Sequence, residues 1–444
     1  MRVYKYGDLN DEQRVALLER GGAKMLDDAL QEQVDGIVQD VRQRGDRAVL
    51  DALDRFDGVR LERSEDQRVS EKEFEAARRE TSAPLLQAIR ESISAVRAYS
   101  ERAMQGLDWT EEISPGLVVG ERHTPVTNAG LYVPSGKGSF PSVLVQIGTP
   151  AVVAAVPEVA VVVPPVRGAR EKVDPSVLVV ADELGLRGNV YRTNGVAGVA
   201  ALAFGTETIP KVRLVVGPGS PPVSAAQVLV QRYGLVTQMV LGPSESLILA
   251  DGSADPRILA ADLLNEAEHG PDSASVLVTW SRELVEAVQE ELPALLENLP
   301  EWRRDFAESS ITERGGAVIV EDLEEALAFA DEFAPEHMMV ACEDSWGVAE
   351  RVNNAGEILV GHRTPLSAAN FATGSPAALP TNGFAKVSSP VTVKTFLKFS
   401  SLASLSNGTL WSMRETIGEL ADHEGFPAHR QSMEVRLRDA ALTG

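Results

Sequence analysis

Five short apolar runs constrain this chain more than any other feature: Val159–Val163 (VAVVV), Val212–Val216 (VRLVV), Ser246–Ala250 (SLILA), Ser275–Thr279 (SVLVT) and Ala317–Val320 (AVIV). They lack the alternation of a half-solvated strand, so each fits a strand covered on both faces, as in a parallel sheet. Helical patterns such as Val177–Leu184 and Val196–Phe204 lie between them. Strand-helix-strand repetition at this spacing predicts an α/β, doubly wound architecture with at least two sheets, whose ligands are expected at the carboxyl ends of strands. Residues 1 to about 105 read as charge-rich helices. Within them, Leu30–Phe56 carries Val34, Ile37, Val38 and Val41, then Val49, Leu50 and Leu53, at helical spacing interrupted by Gly45. Beyond about residue 390 the chain reads as polar and helical again.

A chain of 444 residues is long enough for several domains. It has no apolar run of the ~20 residues a membrane span requires. The start, MRVYKYGDLNDEQ, has no apolar core behind its basic residue, and the single cysteine, Cys342, cannot form an internal disulfide. These features imply a cytoplasmic protein with no membrane partner. Acidic residues outnumber basic ones 65 to 42, and a net charge of −23 without a local basic stripe argues against a nucleic-acid partner.

Three Gly- and Pro-rich turns punctuate the α/β region: Tyr132–Gly138, Gly217–Pro222 and Gly242–Glu245. None has the Walker spacing or the six-residue dinucleotide fingerprint, and singly they read as turns. Two stretches carry chemistry. In LLNEAEHGPDS (263–273), Asp255 caps a helix, Pro256 sits in its first turn and Gly270-Pro271 stops it, so Glu266 and His269 share a face at its end. Such a pair can ligate a metal, and it is also a common solvated pair. In FAPEHM (333–338), Glu336 and His337 stand between a helix pattern and a strand pattern. They suit proton transfer; the structural alternative is a helix end where His337 satisfies a carbonyl. The other histidines, His123, His362, His423 and His429, are too scattered for spacing to choose a zinc set among them.

Taken in order, GLYVPSGK, VAALAFGTETIPKV, VGPGS, GPSESLILAD, LLNEAEHGPDS, FAPEHM, ATGSPAALPT and AHRQSMEVRL resemble the histidinol dehydrogenase family across about residues 125–440. The resemblance implies an intertwined homodimer with two incomplete Rossmann-like domains. Residues 1–27 would form an N-terminal helical segment, 28–131 with 246–390 a first domain holding metal and catalytic residues, 132–245 a cofactor-side domain, and 391–444 an arm swapped into the partner. It implies a zinc enzyme that uses NAD to oxidise a primary alcohol through an aldehyde to a carboxylate. Carried over residue by residue, Glu336 and His337 become the proton acceptors, and Ser244, Glu424 and His337 contact substrate. Tyr132, Ala197 and Ser220 stand at cofactor positions.

The zinc ligands of the family, a glutamine, a histidine, an aspartate and an arm histidine, correspond to Glu266, His269, Asn370 and His429. Carboxylate and amide have exchanged places, which leaves the charge of the set unchanged. Elsewhere the chain departs further. A substrate-contacting histidine is replaced by Ala377, and glutamine and asparagine contacts to NAD by Ala197 and Ser220; a methyl group supplies no hydrogen bond. L-Histidinol is the default substrate on this reading. Ala377 leaves open a related dehydrogenase for another small polar alcohol, such as a sulfonated propanediol, and the cofactor-side changes leave open a non-catalytic metal- or nucleotide-binding homologue.

Overall fold

The computed structural model describes residues 1–18, 20, 27–135, 138–166, 172–238 and 242–438. Gly136 and Lys137 of the first turn, and parts of the N-terminal segment and of the arm, lie outside the described residues. The chain divides into two units, one formed by residues 1–101 and 126–396, the other by 102–125 and 397–444.

The first unit holds two parallel sheets. The six-stranded sheet runs Val3–Lys5, Gly316–Ile319, Ala274–Thr279, Glu245–Ala250, His337–Ala341, Glu357–Val360, every neighbouring pair parallel. The five-stranded sheet runs Val190–Arg192, Val159–Val163, Ala129–Tyr132, Leu214–Val216, Val236–Thr237, also parallel throughout. Each winds outward from an inner strand in one direction and then in the other, the doubly wound pattern. All five apolar runs are strands, Val159–Val163 with the bounds expected and the other four with ends shifted by one or two residues.

Burial on both faces explains the continuous runs. In the strand Glu245–Ala250, Ile248 and Ala250 join one core while Leu247 and Leu249 join the core on the opposite face. The helix Asp28–Arg44 starts with Asp27 accepting from the Ala29 amide and ends at Gly45, whose φ of 54° no ordinary side chain favours. Its buried face, Val34, Val38 and Val41, packs with the helix Gly195–Phe204 over the five-stranded sheet. Each of these valines contributes about 1.5 kcal/mol or more on leaving water.

The second unit was not foreseen as a sheet. Its strands Trp109–Ser114, Leu117–Pro125 and Leu397–Leu405 are antiparallel, followed by helices Asn407–Ser412, Arg414–His423 and Pro427–Arg438. Large apolar side chains stand exposed on it, among them Phe399 (59 %), Trp411 (56 %), Leu420 (56 %) and Val435 (56 %). Among the described residues no helix is long and apolar enough to cross a membrane.

Candidate active site

A cavity of about 630 Å³ in the first unit gathers Tyr132, Ser220, Ser244, Glu266, His269, Glu336, His337, Asn370 and Ala377. Its construction corrects one expectation. Ser244 immediately precedes the strand Glu245–Ala250, and Glu336 and His337 open the strand His337–Ala341, so the six-stranded sheet presents its amino edge. Only the five-stranded sheet contributes carboxyl ends, through Tyr132 and the Gly217–Ser220 turn after Val216. A strand's amino end offers unpaired N–H groups, and the Glu336 carboxylate uses one: Oε2 accepts from the Glu245 amide at 3.0 Å.

Glu336 and His337 are almost fully buried, at 9 % and 3 % exposure. His337 is not a helix-end residue capping a carbonyl. Its Nδ1 bonds the Glu357 carboxylate, while Nε2 lies 3.8 Å from Glu336 Oε1. Burial pushes the Glu336 carboxyl up to about 8, and the charges of Glu266 and Glu245 add to this against the pull of His337. Burial works against the charged form of His337, but Glu266, Glu336 and Glu357 outweigh it and raise its pKa.

Behind the pair sits a second buried charge system. Glu245, fully buried, accepts from Asn382 N at 2.8 Å and pairs with Arg20 Nε at 3.0 Å; burial raises its carboxyl despite that cation. Arg20 donates to the Phe333 carbonyl at 2.6 Å and lies over the Phe333 ring. Neither Glu245 nor Arg20 was singled out from the sequence. They are 225 positions apart, and no local pattern joins them.

The helix Pro256–Ala267 is capped by Asp255 as expected, accepting from Arg257 N. Glu266 lies in its last turn and His269 just past its end, with Glu266 Oε2 and His269 Nε2 3.5 Å apart. Glu266 Oε1 accepts from Asn265 Nδ2 at 2.7 Å and Asn370 Nδ2 at 3.3 Å. Burial favours the neutral acid, but His269, His337 and the two amides overcome it and hold the Glu266 pKa below its ordinary value. Ser244 Oγ is 3.5 Å from His269 Nδ1.

These donors suit a metal. Ligand bonds of about 2.0–2.2 Å place donor atoms of a tetrahedral zinc roughly 3.3–3.5 Å apart, the spacing seen between Glu266 and His269. No cluster of three His, Cys, Asp or Glu side chains with such geometry exists among the described residues; the neighbouring group that could add a donor is the Asn370 amide, whose oxygen and nitrogen can exchange by a flip. Glu424 and His429 belong to the second unit, both exposed; Glu424 caps the helix Arg414–His423 and His429 stacks on Phe426 at 4.9 Å between ring centroids.

Tyr132, Ser135 and Ser220 line both the main cavity and a neighbouring one of about 260 Å³. Two helices begin there, at Gly195 behind Asn194 and at Pro221 behind Ser220, and helix N-termini favour anionic groups. Gly195 is required by packing, since a Cβ would come within 2.7 Å of Val223 Cγ2. Ala197 is fully buried, and its amide points back to Asn194 Oδ1 at 3.4 Å. Ala377 sits on the main cavity wall, where its N–H donates to Gln146 Oε1 at 3.2 Å.

Against known proteins, the sequence model of histidinol dehydrogenase matches residues 22–437. The chain is 39 % identical over 442 residues to histidinol dehydrogenase of Synechocystis sp., covering 99 % of this chain and 100 % of that one. It is 37 % identical over 444 residues to a histidinol dehydrogenase homolog of Colwellia psychrerythraea, covering 100 % and 98 %. The crystal structure of histidinol dehydrogenase from Elizabethkingia anophelis superimposes with a TM-score of 0.92 at 28 % identity over 99 % of both chains.

Proposed function

Because this chain belongs to the histidinol dehydrogenase family, we propose that it is a zinc-dependent NAD oxidoreductase that converts a primary alcohol through an aldehyde to a carboxylate, with L-histidinol as the default substrate. The observation that carries the reading is the buried Glu336–His337 pair opening into the same cavity as Glu266, His269 and Asn370.

In its neutral form, reached as pH rises through its raised pKa, His337 accepts the hydroxyl proton at Nε2 as hydride leaves the carbinol carbon. Glu336, ionised as pH rises through its pKa of about 8, then accepts a proton from the water that adds to the aldehyde. Tyr132 and Ser220 would hold NAD, one molecule of which would supply the hydride acceptor for each of the two oxidations. Glu266, His269 and Asn370 would hold zinc, which would supply positive charge against the Glu266 carboxylate and Lewis-acid chemistry at the site. Ser244, beside His269, is placed to orient the substrate. The reading assigns Glu424 and His429 to the site of a second copy, and the exposed apolar residues of the second unit support burial in a homodimer.

Ala377 favours a second reading, a dehydrogenase for another small polar alcohol, because the cavity wall there offers only a methyl group. NADH formation with L-histidinol, using zinc-loaded protein and a chelator-treated control, tests the first. Turnover abolished by the chelator supports it. No turnover with stoichiometric zinc bound moves the search to other alcohols, and failure of every alcohol refutes the enzymatic reading.

A further inference from the structure

The strand Glu357–Val360 runs parallel to His337–Ala341, with His337 directly opposite Glu357. Opposed residues on neighbouring strands project to the same face, and here the two side chains meet through Nδ1 and Oε1. The backbones are locked together at the same point. Gly356 N donates to Pro335 O at 2.9 Å and Glu357 N to Glu336 O at 3.0 Å. A Cβ at Gly356 would collide with the Glu336 carbonyl.

The Glu357 side chain is 7 % exposed, and its second oxygen is buried without a hydrogen-bond partner. A buried carboxylate so placed costs several kcal/mol unless a cation or donor compensates it, and His337 is the group that does so. Glu357 does not line the cavity; it stands behind His337 on the side away from Glu336. A structural ion pair needs no such arrangement, with one ring nitrogen committed and the other left beside a reacting group.

We propose that Glu357 is a positioning residue for the reaction: by holding His337 through Nδ1, it fixes the ring so that Nε2 is the nitrogen that receives the substrate's proton. An imidazole without that partner rotates and exchanges tautomers, and its Nε2 lone pair is then aimed only part of the time. The proposal rests on the reading of His337 as proton acceptor, and it adds the group that orients it.

The test uses the full-length chain and the variants Glu357→Gln, Glu357→Ala and Glu357→Asp, with kcat and KM for the alcohol the wild type oxidises. In parallel, protein labelled with ¹⁵N-histidine, which has only six histidines, is examined for a low-field imidazole N–H proton, assigned by its loss in His337→Gln. Glu357→Gln is expected to lower kcat about 10- to 100-fold with KM changed less than about twofold. Glu357→Asp recovers part of the loss, and the low-field proton disappears in Glu357→Ala and moves upfield in Glu357→Gln. A kcat within about twofold of wild type in both Gln and Ala variants overturns the proposal. So does a loss confined to Glu357→Ala that tracks its melting temperature while the equal-sized Gln variant stays active. If the wild type oxidises no alcohol, the enzymatic reading fails by itself and the proton resonance decides: its absence from wild type overturns the positioning contact, and its disappearance in Glu357→Ala with an upfield move in Glu357→Gln upholds it.

Discussion

The Asn370 amide and the Glu266 carboxylate, 3.3 Å apart, form a pair whose two members should be interchangeable only together. Asn370→Asp alone puts a second carboxylate beside the first. At an effective dielectric of about 20, that contact costs about 5 kcal/mol. Protonation caps the penalty, because neutralising an aspartate with a free pKa of about 3.9 costs about 4 kcal/mol at pH 7. Glu266→Gln alone removes the carboxylate that His269 and His337 stabilise, at about 1–3 kcal/mol. The double variant Glu266→Gln/Asn370→Asp keeps one carboxylate and one amide and should return to within about 1 kcal/mol of wild type, a coupling of about 4–7 kcal/mol. Urea denaturation of chelator-treated protein at pH 7 measures all four stabilities without reference to activity. Competition for zinc measures the same cycle in the loaded protein, where the double variant should recover the affinity that Glu266→Gln loses. A double variant that loses the sum of the single penalties refutes the idea that the two positions share one charge.

Glu336→Gln should still release aldehyde and NADH from the alcohol while forming carboxylate at least about 100-fold more slowly, which product analysis of a trapped aldehyde reads directly. Ala377→His restores a hydrogen-bonding side chain to the cavity wall and should lower KM for L-histidinol by about tenfold or more; an unchanged KM would show that this wall does not touch the substrate. Asp262, nearly buried, has one oxygen without a partner and a carboxyl pushed up to about 6 by burial. Its charged form is therefore disfavoured in the folded protein, so wild type gains stability as pH falls from about 6 towards 4. Asp262→Asn should be about 1–3 kcal/mol more stable at pH 8, with the gap closing by about pH 4 in denaturant titrations.

The parallel sheets were legible because their strands are covered on both faces, which forces continuous apolar runs. Asp255 and Pro256 likewise wrote the start of one helix, which ends at Ala267, three residues before the expected stop at Gly270. The strand Leu397–Leu405 was missed because nearly all of it is exposed within its own unit, so neither face imposes an apolar period. Val3–Lys5 is too short to carry a pattern. At the site, Glu266 and Asn370, 104 positions apart, were associated through the resemblance and do touch. Glu357 was invisible: a lone acid ahead of Ile-Leu-Val looks like a solvated strand end, and only the register against His337 reveals its partner. The expectation of ligands at carboxyl ends failed for the six-stranded sheet because Ser244, Glu336 and His337 stand at its amino edge, where Glu336 takes the free Glu245 amide.

That use of opposite edges has a consequence for how such a protein can change. The proton-handling groups hang from one sheet and the helix N-termini that suit an anionic cofactor belong to the other, so each half has its own scaffold and its own packing. A substitution at Ala197 or Ser220 redraws one half without shifting the strand that carries Glu336 and His337. On the proposed reading, reactivity and cofactor recognition are thus separately adjustable parts, and a lineage can exchange one while inheriting the other intact.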